Sequence, residues 1–338
     1  MRLITVEEHF TTQEIIDENN KFSEQNSKPQ DPKLAEFYKS MVFVGKALTD
    51  CDEMRLAFMN SRKIDMQVLS YTSPVSDKVP ANEAVRICKR ANDILAQKIQ
   101  VHHDRFAAFA TLPMADPQAA ADELERCVCE YNFCGALLAG QFQGHFYDEK
   151  IFLPIFERAA KLDVPISFHP APINPVIQNY YYTSPEYSSF IAGQFASAGF
   201  GWHIDVGIHE LRLILSGIFD KLPNLKLIAG HWGEDIPAYL DRIDYIITPE
   251  SAGLKRKVSD YYKEHFYITP SGILSPMQFE YIVKLMGAEH VIWAVDYPYI
   301  RNGNFYDFLV AADFLTFEQK ELIAHKNAER ILHIKGEN

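Results

Sequence analysis

The chain has 338 residues, of which 47% are hydrophobic and 23% charged, the composition of a globular protein rather than of a disordered chain. Its formal net charge of −12 excludes a nucleic-acid backbone as the main partner, because that partner requires a basic surface. No apolar run approaches the ~20 residues of a membrane span. The five cysteines show no Cys-x-x-Cys spacing, so we expect a protein of the reducing cytoplasm, with no membrane segment.

Short apolar runs recur along the chain and predict eight β-strands. Most of these runs are continuous rather than alternating, which is typical of parallel strands that are covered on both faces. The predicted strands are Leu3–Glu7, Met66–Tyr71, Phe106–Leu112, Gly135–Ala139, Pro165–His169, Leu225–His231, Tyr267–Ser271 and Val291–Asp296.

Helical patterns separate the predicted strands. Asp116-Pro117 provides an N-cap and a first-turn proline for a helix over Ala119–Tyr131. Thr316 and Gln319 form a capping box that begins the last helix, which runs from Phe317 to about Ile334. A third helix is predicted between His203 and Phe219, with one apolar stripe facing the core formed by Ile204, Ile208, Leu211, Leu215 and Ile218.

Strands that alternate with helices predict an α/β fold, specifically a (β/α)8 TIM barrel that takes up residues 1–338 as one domain. A doubly wound open sheet is the alternative, but no Gly-x-Gly-x-x-Gly follows any predicted strand. Two insertions exceed normal loop length, roughly 11–60 after the first strand and 171–202 after the fifth. The second is rich in aromatic residues, which predicts either a cover over a flat ring substrate or a satellite core or dimer contact.

Polar side chains stand at the carboxyl ends of several predicted strands: Glu7 and His9, then His169, His231 and Asp296. A single buried histidine or aspartate is usually a hydrogen-bonded core residue, but in a barrel these strand ends meet at the catalytic face. Because such residues recur at the ends of several strands, the pattern favours a metal site. Carboxylates and imidazoles together suit Zn²⁺, or Mn²⁺ when oxygen ligands carry weight.

Glu234 follows His231 by three residues. It could accept a hydrogen bond from the imidazole and set its tautomer, which would make His231 a positioned acid or base. Alternatively, Glu234 is a first-turn carboxylate favoured by the helix dipole. Among the other histidines, His145 and His203 lie near βα loops and are weaker candidates for the pocket.

Motifs along essentially the whole chain resemble those of the amidohydrolase superfamily, in the amidohydrolase-related branch of aminocarboxymuconate-semialdehyde decarboxylase: Glu7-x-His9, His169-Pro170, Gly230-His231-Trp232-Gly233-Glu234, Asp296-Tyr297-Pro298 and Asn327-Ala328-Glu329-Arg330. Three further stretches resemble decarboxylases of γ-resorcylate, 2,3-dihydroxybenzoate and 5-carboxyvanillate: Leu69–Pro74, Asp104–Phe106 and Gly217–Lys221.

The resemblance implies roles for specific residues. The ligands of one divalent metal ion would be Glu7, His9, His169 and Asp296, and His231 with Glu234 would handle protons. Arg242 matches an arginine that contacts the substrate's acid group, in some relatives at or across a dimer interface, so a homodimer or homotetramer is implied. Tyr71 and Arg301 are further candidates for substrate contacts, and Arg55 is a candidate for a second acid-binding arginine.

The implied activity is a metal-dependent, non-oxidative decarboxylation of a small ortho-hydroxy aromatic carboxylic acid, in which Asp296 protonates the ring carbon and CO2 leaves. The Glu-x-His start favours Mn²⁺ over Zn²⁺, and no organic cofactor is implied. No lysine ends the fourth strand, so the bridging carbamylated lysine of binuclear relatives is absent and one metal ion is expected. The same residues could instead activate water, with His231 as base, in a lactone hydrolase or a hydratase of an unsaturated acid.

Overall fold

A computed structural model describes residues 1–22, 42–72 and 78–336 of the chain. Its regular strands agree in position with seven of the predicted ones, although several are shorter. They are β1 (Ile4–Phe10), β2 (Met66–Tyr71), β3 (Phe106–Ala108), β4 (Ala136–Ala139), β5 (Ile166–His169), β6 (Leu227–Ala229) and β7 (Phe266–Ile268). The eighth predicted strand, Val291–Asp296, is not a regular strand and is instead paired at single residues.

The strands pair in parallel and in chain order, β1 with β2 and β3, and β4 through to β7. These ladders form two sheets rather than one closed sheet. Single parallel bridges continue the order between the sheets and through the eighth segment, at Ala110 with Ala136, Ile268 with Val291, and Ala294 with Val6. Eight parallel segments therefore follow one another around a ring, and their carboxyl ends lie at the same end of it.

Helices lie between the strands of the ring and after its last segment. They are α1 (Gln13–Asn20), α2 (Val42–Thr49), α3 (Glu53–Ser61), α4 (Ala81–Val101), α5 (Pro117–Tyr131), α6 (Leu153–Leu162), α7 (Pro175–Tyr181), α8 (Ser189–Ala196), α9 (Gly201–Leu215), α10 (Ile218–Lys221), α11 (Leu240–Ile246), α12 (Pro249–Ala252), α13 (Val258–His265), α14 (Pro276–Met286), α15 (Phe305–Ala311), α16 (Phe317–Glu321) and α17 (Asn327–Ile331). Short 3-10 turns cover Lys150–Phe152, Ile236–Tyr239 and Ala288–His290.

Two predicted helix starts are confirmed by their caps. The Asp116 carboxylate accepts a hydrogen bond from the backbone N–H of Ala119 at 3.0 Å, so α5 begins as expected. Thr316 and Gln319 satisfy each other's backbone N–H groups in a capping box at the start of α16. The last helix is not continuous, however, because a π-helical turn over Leu322–Lys326 separates α16 from α17.

The prediction for the helix between His203 and Phe219 is wrong in two respects. The helix α9 ends at Leu215, because Gly217 takes a left-handed conformation with φ +71° before α10 begins. The predicted stripe is also not the buried face, since Ile208 and Leu215 are exposed. The residues of α9 that are buried include Val206, His209, Glu210, Leu213 and Ile214. This helix has two apolar faces, and spacing alone does not tell which of them packs inside.

Both insertions contain helices. The first includes α1, α2 and α3, with part of its length outside the described residues. The second includes α7 and α8 and forms a small satellite core from Ile173, Tyr182 and Ala196, packed against Trp202. Its Tyr180 and Tyr181 are exposed. Of the helices described here, none combines the length and the apolar character needed to cross a membrane.

Candidate active site

A bulge in β1 positions two of the predicted metal ligands. The register with β2 shifts between Thr5 and Glu8, and Glu7 within this shift has φ +66°, a left-handed conformation that is uncommon outside glycine. Glu7 and His9 both reach the carboxyl end of the ring, whereas the Glu8 carboxylate turns away and accepts a hydrogen bond from the backbone N–H of Val295 at 3.0 Å. The alternation of side chains along an extended strand predicted these directions for Glu7, Glu8 and His9, although β1 is irregular at this point.

Four side chains converge at this end of the ring: Glu7, His9, His169 and Asp296. Each offers one ligand atom, and these atoms all lie within 4.8 Å of one another. Nε2 of His9 is 3.0 Å from Oδ1 of Asp296, and Nε2 of His169 is 3.8 Å from Oε1 of Glu7. We call these four residues the ligand cluster; the fold brings them together from the start, the middle and the end of the chain.

The chemistry of the ligand cluster fits a divalent cation. Oε1 of Glu7, Nε2 of His9 and Oδ1 of Asp296 are buried and have no hydrogen-bond partner among the described residues. Burial raises the pKa of Glu7. His231 lowers this pKa, whereas the neighbouring Asp296 carboxylate raises it, and the net shift is upward. Gathering two carboxylates here without a counter-charge is costly. A cation with nitrogen and oxygen ligands supplies both the counter-charge and the missing partners.

His169 is set up as a neutral ligand. Its Nδ1–H donates a hydrogen bond to the carbonyl oxygen of Pro170 at 2.6 Å, which leaves the Nε2 lone pair facing the ligand cluster. Burial lowers the pKa of His169 well below its usual value, and the rings of His9 and His231 lower it further. The unprotonated imidazole is the form that binds a metal ion.

Two hydroxyl groups that follow β7 hold the Glu7 carboxylate. Ser271 and Thr269 both donate hydrogen bonds to Oε2 of Glu7, the latter at 3.2 Å. Ser271 Oγ also accepts the backbone N–H of His231 at 2.9 Å, so one hydroxyl connects two parts of the site. Neither residue was predicted to belong to the site. Both end the predicted strand Tyr267–Ser271, where the rule applied to the other strand ends would have identified them.

His231 and Glu234 lie in a left-handed turn after β6. All residues from 231 to 235 have positive φ, and at Gly233 a Cβ atom would lie 2.7 Å from Tyr262 Oη and from Pro237 Cγ, so only glycine fits. The turn brings Nδ1 of His231 to 2.7 Å from Oε1 of Glu234. The alternative interpretation of Glu234, as a first-turn carboxylate of a regular helix, is wrong because this turn has the opposite hand.

The two residues of this turn adjust each other's charge. Burial by itself would lower the pKa of His231, but the carboxylates of Glu234 and Glu7 raise it to about 10. Burial would raise the pKa of Glu234, but His231 and a hydrogen bond from His203 lower it. The pair is therefore an imidazolium and a carboxylate. Nε2 of His231 lies 3.8 Å from Oε1 of Glu7, so this imidazolium can hold or give a proton beside the ligand cluster.

Comparison with known proteins places this chain in a family. Residues 44–334 match the family model described as Amidohydrolase. The chain belongs to this family. The γ-resorcylate decarboxylase of Polaromonas sp. (strain JS666 / ATCC BAA-500) is 34% identical over 98% of both chains.

Solved structures show the same relationship. A Staphylococcus aureus protein assigned to the amidohydrolases is 40% identical, with a TM-score of 0.83 over 98% of this chain and 100% of that chain. The 5-carboxyvanillate decarboxylase of Novosphingobium aromaticivorans, crystallised with manganese and 4-hydroxy-3-methoxy-5-nitrobenzoic acid, is 30% identical, with a TM-score of 0.86 over 98% and 96% of the two chains. The predicted amidohydrolase (β/α)8 fold is confirmed.

In this amidohydrolase, the structure does not bring Tyr71 into the site. Tyr71 is buried, and its hydroxyl donates a hydrogen bond to the carbonyl oxygen of Ala91 on α4 at 2.9 Å, which corrects the prediction that it contacts substrate. A different tyrosine borders the ligand cluster. The ring centroid of Tyr299 is 5.3 Å from that of His9, and its hydroxyl is 2.7 Å from Thr72 Oγ1. Tyr299 shares the strand-end loop of Asp296 and could have been considered on that basis.

Two of the predicted arginines contact aromatic rings within one chain. Arg242 is exposed on α11, and its guanidinium is 5.9 Å from the ring of Tyr245. Arg301 is partly buried, and its guanidinium lies 3.9 Å over the ring of Phe43. Their roles toward a substrate remain predictions.

Arg55 is held inside the protein by hydrogen bonds, and an acid-binding role for it stays a prediction. It is fully buried, and its guanidinium donates hydrogen bonds to the carbonyl oxygen of His9 at 2.5 Å and to Oε1 of Gln67 at 3.1 Å. Gln67 in turn donates to the Glu8 carboxylate at 2.9 Å. These hydrogen bonds support β1 next to the ligand cluster.

Proposed function

We propose that this amidohydrolase is a metal-dependent, non-oxidative decarboxylase of an ortho-hydroxy aromatic carboxylic acid. The observation that carries the proposal is the ligand cluster with the His231 imidazolium beside it. Two relatives that cover nearly the whole chain support the reaction, since one decarboxylates γ-resorcylate and the other 5-carboxyvanillate. Carboxy-lyase chemistry of this kind requires a cation and a proton source, and the site offers ligands for the cation and His231 as the proton source.

The residues that would hold the metal ion are those of the ligand cluster. We assign Mn²⁺ rather than Zn²⁺, because the cluster offers two carboxylates and the related carboxyvanillate enzyme was crystallised with manganese. A divalent ion held there would act as a Lewis acid and would draw negative charge away from the ring of a bound ortho-hydroxy acid.

Proton handling falls to Asp296 and the pair formed by His231 and Glu234. Asp296 is the least buried carboxylate of the ligand cluster, with 15% of its side chain exposed against 4% for Glu7. We assign it the delivery of a proton to the ring carbon that bears the carboxylate, while His231 holds the reserve proton. The C–C bond then breaks, its electron pair returns to the ring, CO2 leaves and aromaticity is restored. The reaction needs no oxidant and no organic cofactor.

We assign recognition of the substrate's acid group to Arg242 of a neighbouring copy of the chain, with Arg301 as a second contact. Helix α11 and the turn before it carry an exposed apolar surface: Tyr239, Tyr245 and Ile246 are 61%, 76% and 58% exposed. Such patches are uncommon on monomers. The helix α9 also exposes apolar residues, Ile208 and Leu215, and these exposed residues support a homodimer or a homotetramer.

The proposal is tested by assaying the manganese-loaded protein for CO2 release from a panel of ortho-hydroxybenzoates that includes 2,6-dihydroxybenzoate and 5-carboxyvanillate. We expect turnover of at least one acid, and none of the 3- and 4-hydroxybenzoates, which lack the ortho hydroxyl. A lactone panel and an unsaturated-acid hydration assay run in parallel. Absence of CO2 release from every acid, together with clear lactone hydrolysis or hydration, contradicts the proposal.

A further inference from the structure

One histidine beside the site has no part in the function described so far. His203, in the first turn of α9, has its ring centroid 4.3 Å from that of His231. Its Nδ1 lies 2.8 Å from Oε2 of Glu234. The other oxygen of the same carboxylate, Oε1, is the partner of His231. Each oxygen of Glu234 therefore binds one imidazole, and this carboxylate is completely buried.

The direction of these hydrogen bonds follows from the partners. The pKa of Glu234 is lowered, so its carboxylate is ionised and can only accept, and Nδ1 of both histidines must carry the hydrogen. On the far side of the His203 ring, Trp202 Nε1–H donates to Nε2 at 3.1 Å. Ala198 O lies at the same distance from Nε2. Nε2 of His203 thus faces one donor and one acceptor, whereas Nδ1 faces the Glu234 carboxylate, which can only accept, so Glu234 fixes a hydrogen on Nδ1.

The consequence reaches the reacting end of His231. With its Nδ1–H held by Glu234, the free nitrogen that faces the ligand cluster is Nε2. Without His203, one oxygen of a fully buried carboxylate would lose its partner, and such an oxygen turns toward another donor or takes up a proton. Either change would weaken the hydrogen bond from Nδ1 of His231 to Glu234 that orients the His231 ring.

We propose that His203 is a positioning residue for the decarboxylation: by donating to Oε2 of Glu234, it fixes this carboxylate in the orientation that holds His231 with Nε2 directed at the substrate. This inference rests on the proposed function for its kinetic consequence. It concerns the arrangement of His231 whatever reaction the site performs.

The kinetic test compares two substitutions in the manganese-loaded enzyme. His203→Phe keeps a ring but no donor, and His203→Asn keeps a donor close to the position of Nδ1. For H203F we expect kcat to fall about 10- to 100-fold, the effect of one lost charge-assisted hydrogen bond, with KM and manganese content unchanged. For H203N we expect kcat within about threefold of the parent enzyme. If H203F does not fold, His203→Leu takes its place.

A matched control is His102→Phe. The Nε2 of His102 also pairs with a carboxylate, that of Asp52, at 2.8 Å, but on the surface after the end of α4. H102F is expected to keep full activity. Normal kcat in H203F, or equal loss in H203F and H203N, overturns the proposal, because the donor would then have no role.

A second measurement does not depend on decarboxylation. NMR of protein labelled with ¹⁵N-histidine distinguishes hydrogen on Nδ1 from hydrogen on Nε2. We expect the Nδ1–H signal of His231 to be present in the parent and in H203N, and to be lost or broadened in H203F. An unchanged signal in H203F overturns the proposal. If no acid is decarboxylated, the proposed function fails, and the NMR result still decides the role of His203.

Discussion

The Glu7 carboxylate accepts a hydrogen bond from the hydroxyl of Ser271, which follows it by 264 residues in the chain. The same hydroxyl accepts the backbone N–H of His231. Ser271 thus couples the orientation of a proposed metal ligand to the position of the turn that carries the proton-handling histidine. Partners of this kind tune a metal ligand without touching the metal.

Replacing Ser271 with alanine should weaken metal binding. The Glu7 carboxylate would keep Thr269 but lose its closer partner, and removal of such a partner typically costs about 10- to 100-fold in metal affinity. Competition between the protein and a manganese-binding chelator measures the affinity. Ser61→Ala removes an exposed hydroxyl elsewhere and should have no effect. Parental manganese affinity in S271A would show that this contact does not support the site.

Asp296→Asn should abolish turnover. The amide still fits the ligand cluster but cannot deliver a proton, so we expect kcat to fall by at least about 100-fold, the usual contribution of a general acid. Manganese content and substrate binding are measured in the same preparation, so that a loss of metal is recognised. Asp307→Asn, which alters an exposed carboxylate paired with Lys63, serves as control. A near-normal rate in D296N would remove Asp296 as proton donor.

Arg242→Gln should raise KM and leave thermal stability unchanged, because Arg242 is exposed. A lost arginine–carboxylate contact corresponds to about a 10- to 100-fold drop in kcat/KM. Arg256→Gln, at an exposed arginine paired with Glu264, is the control. A KM equal to that of the parent would exclude Arg242 from substrate recognition.

Mixing R242Q with D296N subunits tests whether Arg242 acts between copies. If the arginine serves the neighbour's site, the mixed assembly contains some sites with both residues intact, and activity should reappear. Mixed assemblies with no more activity than the separate variants would place Arg242 in its own subunit's site or outside the site.

His209 should make stability depend on acid pH. Both of its ring nitrogens are buried without a hydrogen-bond partner among the described residues, and burial lowers its pKa to about 3. The folded pKa is therefore below that of the unfolded chain, so the unfolded state binds the extra proton and stability falls as pH drops from about 6.5 toward 3. At pH 5 the loss relative to pH 7 is about 2 kcal/mol.

Urea unfolding of the parent and of His209→Leu at pH 7 and pH 5 measures this effect. Leucine has a similar volume and cannot be protonated, so H209L should show a smaller decrease in unfolding free energy between the two pH values. H145F, at an exposed histidine, should behave as the parent. Equal decreases in H209L and in the parent would mean that His209 does not cause the acid sensitivity.

Sequence reasoning recovered the features that a parallel barrel imposes. Apolar runs located the strands, and the rule that their carboxyl ends meet brought Glu7, His9, His169 and Asp296 into consideration together. The structure places their ligand atoms within 4.8 Å of one another. These predictions require only the order and direction of the strands, and both follow from local apolar runs in the sequence.

The features that sequence reasoning missed depend on tertiary context. Helix α9 has two apolar faces, and only packing shows that His209 is inside while Ile208 is exposed. The left-handed turn after β6 is stabilised by distant residues such as Tyr262, so no local pattern predicts it. His203 was predicted as a weaker candidate for the pocket, but nothing near it in the chain indicates that it contacts Glu234, 31 residues away in sequence.

The closure of the ring next to β1 has a consequence for biosynthesis. Val6 pairs with Ala294, and the backbone N–H of His9 donates to the carbonyl oxygen of Tyr297 at 2.7 Å, so the first and last segments of the ring complete the site together. A nascent chain on the ribosome would lack Asp296 until the last segment of the ring had been translated. A divalent ion could then bind with full affinity only to chains in which the ring is complete, and loading with the ion would mark the chains that had closed it.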